Sequence, residues 1–136
     1  MLRTTLVLTL LLTAGFAAGC GDDDTPTAPT DPPVAVTEPF SGTLTLNGAA
    51  THSFIVQRAG TATATLTALS PDSAAVISLS LGTWNGQSCQ IILANDAATT
   101  NSSVVGNASA GNFCIRVLDV GRLTAPTDYT VTVQHF

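Results

Sequence analysis

From Phe40 onward the chain alternates apolar and polar residues with a period of two, and no helical period persists over a useful length. The runs are "FSGTLTL", "THSFIVQ", "TATATLTAL", "VISLSLGTW", "QSCQIILA", "VVGNAS", "NFCIRVLD" and "DYTVTVQH". Turn signals separate them: Asn47-Gly48, Arg58-Ala59-Gly60, "SPDSAA", Asn85-Gly86, Ala110-Gly111 and a loop containing Pro126. Asn-Gly between alternating runs is a strong hairpin signal because both residues tolerate positive φ, so hairpins are expected at both Asn-Gly pairs. About eight short strands with frequent turns predict an all-β fold, an antiparallel, jelly-roll-like β-sandwich over residues 40–136.

Alternation also sorts the faces, since successive side chains of a strand point to opposite sides. The inward set is Phe40, Leu44 and Leu46, then Phe54 and Val56, then Leu66, then Ile77, Leu79 and Leu81. Phe113, Ile115 and Val117 follow, alternating with Cys114 and Arg116, and Tyr129, Val131 and Val133 close the set. Thr and Ser fill the outward positions.

The first 39 residues read differently. Met1-Leu2-Arg3 gives a positive start and "TLVLTLLLTAGFAA" a short apolar run, too short for a comfortable membrane span. Small residues Ala17-Ala18-Gly19 then lead into Cys20. This arrangement resembles the lipobox of bacterial lipoproteins, whose signal is cut just before a cysteine thioether-linked to diacylglycerol, although Ala17 stands where that family usually has Leu. The resemblance implies a signal peptide over residues 1–19, lipid attachment at Cys20 and a membrane partner reached through the anchor. With Gly21, rather than Asp, after the cysteine, it also implies the outer membrane, facing either the periplasm or the surface. Residues 20–39 are rich in Asp, Thr, Pro and Ala, cannot bury enough surface to offset their ordering entropy, and read as a disordered linker. Extended at about 3.1 Å per residue, that linker reaches roughly 60 Å. Asp22, Asp23 and Asp24 lack the alternation and glycine of a calcium loop, so they read as solvated spacer.

Composition narrows the partners. The chain has 136 residues, of which 45% are hydrophobic and only 10% charged. There is no lysine, and the arginines are Arg3, Arg58, Arg116 and Arg122. Nucleic acid demands clustered cations, so a nucleic-acid partner is excluded.

A second resemblance spans most of the folded region. "FSGTLTLNGAATHSFIVQRAGTATATLTAL", "ISLSL", "SAGNFCIRVLDVG" and "DYTVTVQHF" are similar to the bacterial pre-peptidase C-terminal domain. Gly42, His52, Phe54, Gly60, Leu79, Gly111, Phe113, Val117 and Tyr129 fall on its matching positions. It implies an accessory or binding β-sandwich of secreted proteins. Where that family has acidic residues, this chain has "VISLSL", which leaves open whether the family's calcium site survives here.

Few residues offer chemistry. Cys89 and Cys114 form an even pair once Cys20 is lipidated, and an exported domain would join them in a disulfide rather than keep two buried thiols. The roughly 26-residue loop so closed is worth about 3.5 kcal/mol. For His52 and His135 a blue-copper site lacks its axial Met, since the only Met is Met1, and a zinc site lacks reduced cysteines and short His or Cys spacing, so no metal or other cofactor is expected and His52 reads as packing. No "GxSxG" elbow supports a Ser-His-Asp triad. Asp72, Asp96, Asp119 and Asp128 read as turn residues rather than as glycosidase carboxylates. Trp84, beside the "NG" turn, is the one aromatic placed to stack on a sugar or anchor a partner, against the blander reading of packing over a neighbouring strand. The expected function is a non-enzymatic binding or accessory module at the cell envelope, for a glycan, a peptide or an exported protein. The alternatives are a structural component of an envelope or secretion assembly and, more weakly, a small hydrolase or metal-binding protein.

Overall fold

The computed structural model describes residues 31–136. Eight strands follow one another: β1 Val36–Leu44, β2 Ala49–Val56, β3 Gly60–Ser70, β4 Ile77–Trp84, β5 Cys89–Ala98, β6 Ser103–Ala108, β7 Gly111–Leu118 and β8 Thr127–His135. They make two four-stranded antiparallel sheets, in the orders β1-β8-β3-β6 and β2-β7-β4-β5. Every connection crosses from one sheet to the other except β4 to β5, which is the jelly-roll arrangement.

The sheets bury the inward set that the alternation predicts. Leu66, Ile77, Leu79, Ile115, Val117, Val131 and Val133 are fully buried, and Leu44, Phe54, Val56 and Tyr129 nearly so. Ala62 and Ala64 complete the inward face of β3, where small side chains let the sheets approach. Phe40 is half-buried against this core.

Several expectations are corrected. Leu46 is 47% exposed because β1 ends at Leu44 and Leu46 stands in a turn, closed by Gly48 N–H donating to the Thr45 carbonyl at 2.9 Å. Asn47 there takes φ 55°, as the Asn-Gly signal anticipates, yet the turn is a corner between sheets and not a hairpin. Its strands pair elsewhere, β1 with β8 and β2 with β7. Turn chemistry is local, whereas the choice of partner strand is not.

The folded region also starts earlier than Phe40. β1 begins at Val36 and includes Glu38 and Pro39, a proline tolerated because β1 is an edge strand. Ser78 and Ser80 point outward on β4 yet are buried, since β4 is a central strand; the Ser78 hydroxyl donates to Asp96 at 2.7 Å. Asp96 and Asp128 lie within β5 and β8 rather than in turns.

Asp119, just after β7, is a loop residue as expected, and it is buried. Its carboxylate accepts four backbone N–H groups, from Asn47 at 2.7 Å, Gly121 and Arg122 at 2.9 Å and Leu123 at 3.1 Å. One side chain thus ties the β1–β2 corner to the β7–β8 loop. These donors, Asn47 foremost, hold its pKa below the ordinary aspartate value.

Candidate functional site

Among the described residues the one hairpin between neighbouring strands, β4 to β5, is built by Asn85. Its side-chain oxygen accepts the N–H groups of Gln87 and Ser88 at 2.9 and 2.8 Å, while its amide nitrogen donates to the Ser88 hydroxyl at 3.2 Å. Gly86 supplies the positive φ of 94° that the turn requires. A side chain bonded to its own turn in this way fixes the loop without help from the core.

The hairpin does not stay in the plane of its sheet. A Cβ placed on Gly82 would stand 2.1 Å from the carbonyl oxygen of Gln90, so the main chain of β5 crosses close over the outward side of β4. That crossing brings Cys89 to Cys114 on β7, with a Cα–Cα distance of 5.7 Å and an S–S bond of 2.10 Å. The expected disulfide is therefore present, and neither sulfur is left to bind metal as a thiolate. Cys114 faces outward by alternation but is fully covered.

Arg116 lies two residues beyond Cys114 and shares its outward face. It is directly opposite Thr51 of β2 and Ser80 of β4 in the ladder. The arched hairpin and this strip of sheet enclose a recess of about 370 Å³, lined by Ala49, Thr51, Trp84, Gln87, Ser88, Cys89 and Arg116. Trp84 is half-buried there, at the last position of β4. Arg116 is half-buried as well. Among the described residues no carboxylate lies within ion-pairing distance of the Arg116 guanidinium, the one contact of that kind being between Glu38 and His135. The recess offers a flat apolar ring with an N–H donor, a cation with five donors, an amide and the Thr51 hydroxyl, while the Ser88 hydroxyl is engaged with Asn85 and Gln90. None of these is a general base or an activated nucleophile.

A second recess of about 400 Å³ lies on the other sheet, over Gly42, Ser70 and Tyr129. Several of its polar groups pair with one another: Ser41 and Thr130 share a hydroxyl bond of 3.0 Å, and the Thr43 hydroxyl donates to Asp128 at 2.5 Å. The Trp84 recess differs in holding a guanidinium and an indole.

The histidines belong to the interior. His52 is half-buried on the inner side of β2, where its Nε2 meets the Tyr129 hydroxyl at 2.7 Å and its ring lies 5.3 Å from Phe40. Burial lowers the His52 pKa and raises that of Tyr129. His135 is 1% exposed, bonded through Nε2 to Glu38 Oε1 at 3.1 Å and set 5.2 Å from the Phe54 ring. Among the described residues no three of His, Cys, Asp and Glu come together as a metal site would need.

The structure thus brings Trp84 and the Cys89–Cys114 pair into one place, while Cys20 lies outside the described residues. Arg116, Thr51 and Gln87 escaped the sequence reading. Arg116 had a usable signal: it shares parity with Cys114, so a disulfide from Cys114 to the Trp84 hairpin puts the guanidinium on the face of the sheet that the hairpin arches over. The Glu38–His135 pair was missed because Glu38 was assigned to the linker, although His135 has the inward parity of Tyr129, Val131 and Val133.

No family model matches the chain, and no curated protein matches it. Among solved structures, a mitogen derived from Yersinia pseudotuberculosis is similar, with a TM-score of 0.55 and 15% identity, covering 76% of this chain and 88% of that one. At that identity the likeness concerns the fold alone. The pre-peptidase C-terminal domain of a collagenase from Bacillus anthracis gives a TM-score of 0.49 and 14% identity, covering 72% of this chain and 87% of that one.

Proposed function

We propose that the chain is an exported lipoprotein, anchored to the outer membrane through Cys20, which presents a non-enzymatic binding β-sandwich at the cell envelope. The observation that carries the binding reading is the recess that Trp84, on a disulfide-clamped hairpin, shares with Arg116 of β7, which has no carboxylate partner among the described residues. Ligand sites of small molecules combine such an apolar surface with a few fixed polar groups. The disulfide favours an oxidising compartment, in keeping with export. The apolar leader ending at Cys20 supports the anchor, because a diacylglyceryl group with a further acyl chain holds a protein to a bilayer far more firmly than one chain does.

Two measurements test this. Mass spectrometry of the mature protein should find an N-terminal Cys20 carrying fatty acyl groups; an unlipidated protein in the soluble fraction would remove the anchor from the proposal. A glycan and peptide array should return a saturable ligand whose binding falls about tenfold or more in Trp84→Ala, the usual scale for losing a buried aromatic anchor. Unchanged binding in that variant would move the site elsewhere.

The second reading, a structural component of an envelope or secretion assembly, is favoured by β5. This edge strand exposes Ile91, Ile92 and Leu93, with no lysine or proline to guard it. It predicts co-purification with an envelope complex and an array without hits.

A further inference from the structure

We propose that the Trp84–Arg116 recess takes a carboxylate-bearing sugar, a uronic acid unit of an acidic polysaccharide. This rests on the reading of the recess as a binding site and adds the chemistry of what enters it.

The charge pattern argues for an anion. From Phe40 onward the chain carries three cations, all arginines, and one of them is half-buried in this recess. Neither the lining nor any ion pair among the described residues supplies it with a carboxylate. A guanidinium taken partly out of water gains most from a ligand carboxylate, which it binds through two parallel N–H···O bonds.

The remaining groups argue for a sugar. The indole of Trp84 offers a flat surface to the C–H face of a pyranose ring. Gln87 and Thr51 place an amide and a hydroxyl around it, suited to ring hydroxyls rather than to an apolar side chain. At about 370 Å³ the recess falls at the small end of ligand sites, which span about 300–1,000 Å³. An extended peptide would be held differently, by adding to an unpaired strand edge. Here Trp84 and Arg116 come from the two central strands of the sheet, and the recess opens over its face.

The walls are held before any ligand arrives. Asn85 fixes Gln87 and Ser88, and the disulfide ties Cys89 to the strand bearing Arg116. Walls fixed in advance lose little freedom on binding, which suits a site of modest area.

The test is calorimetric titration of the oxidised full chain, in detergent, with tetragalacturonic acid and with its fully methyl-esterified counterpart. The acid should bind about tenfold tighter or more, the scale of a charged hydrogen-bonded pair, and should weaken as salt rises from about 0.05 to 0.5 M. Arg116→Gln should weaken the acid far more than the ester and so remove the preference, Arg116→Lys should keep part of it, and Trp84→Ala should weaken both ligands. Circular dichroism and the Tm of each variant confirm folding. Equal affinity for acid and ester, or an Arg116→Gln variant that keeps the preference, overturns the carboxylate assignment while a loss in Trp84→Ala leaves the binding recess standing. Binding of neither tetramer, or only of peptides with a free C-terminal carboxylate, overturns the sugar assignment. Binding of both tetramers undiminished by Trp84→Ala defeats the recess itself.

Discussion

At Gly82 one missing carbon decides the course of a whole strand. With the Gln90 carbonyl only 2.1 Å from where a Cβ would stand, and main-chain rather than side-chain atoms in the way, nothing nearby can swing aside. Gly82→Ala should therefore cost about 3 kcal/mol, the upper end for an overpacked site, and urea denaturation will measure it. Gly42 works differently. It sits opposite Tyr129 in the β1–β8 ladder, and a Cβ there would stand 2.7 Å from the phenol oxygen that meets His52. The glycine, tyrosine and histidine picked out by the pre-peptidase C-terminal pattern are thus one contact. In the sequence they are three separate letters, each generic to β-sandwiches; pairing of the first strand with the last unites Gly42 and Tyr129, and the facing sheet brings His52 to them.

Strands were legible because burial enforces alternation: where one face meets the core, a slip by one residue would expose every apolar side chain. All eight runs read from the pattern overlap the observed strands, and the inward set holds apart from Leu46. Connections were legible only where the turn and its strands are neighbours, as at Asn85-Gly86. Of the site, Trp84 and the cysteines could be singled out, since each is rare in this chain. Arg116, an ordinary member of an alternating strand, acquires meaning only when the hairpin arches over it. The disulfide holds that arch, so its removal should be felt twice. Replacing Cys89 and Cys114 together with serine is expected to lower stability by about 3 kcal/mol on loop-entropy grounds. It should also weaken ligand binding under conditions where the variant remains folded, because Cys89 and Arg116 line the same recess. A variant that loses stability but binds unchanged would show the hairpin to be held by Asn85 alone.

Across the whole molecule, Asp119 joins the β1–β2 corner to the β7–β8 loop at one end of the sandwich. Its lowered pKa has a definite sign in the stability. The carboxylate stabilises the fold fully above the ordinary aspartate value, about 3.9, and that contribution disappears as pH falls below it toward the native value. Thermal unfolding followed from about pH 6 to about pH 2 should show the Tm dropping across the acid part of this window, and Asp119→Asn should begin with a lower Tm and lose less of it. An asparagine variant with the same acid profile would assign the loss to other carboxylates. The other end of the molecule has a mechanical character. β1 is held along one side only, by β8, with Glu38 and His135 near its beginning. Tension drawn across the sheet through the chain ahead of Val36 would load those pairs singly, as a zipper opens, instead of shearing them all at once. The recess sits in the opposite sheet, on strands cross-linked by sulfur. On the proposed anchor at Cys20, a tug strong enough to fray the first strand would thus spare the proposed binding recess, and that strand could yield and re-seat like a spring.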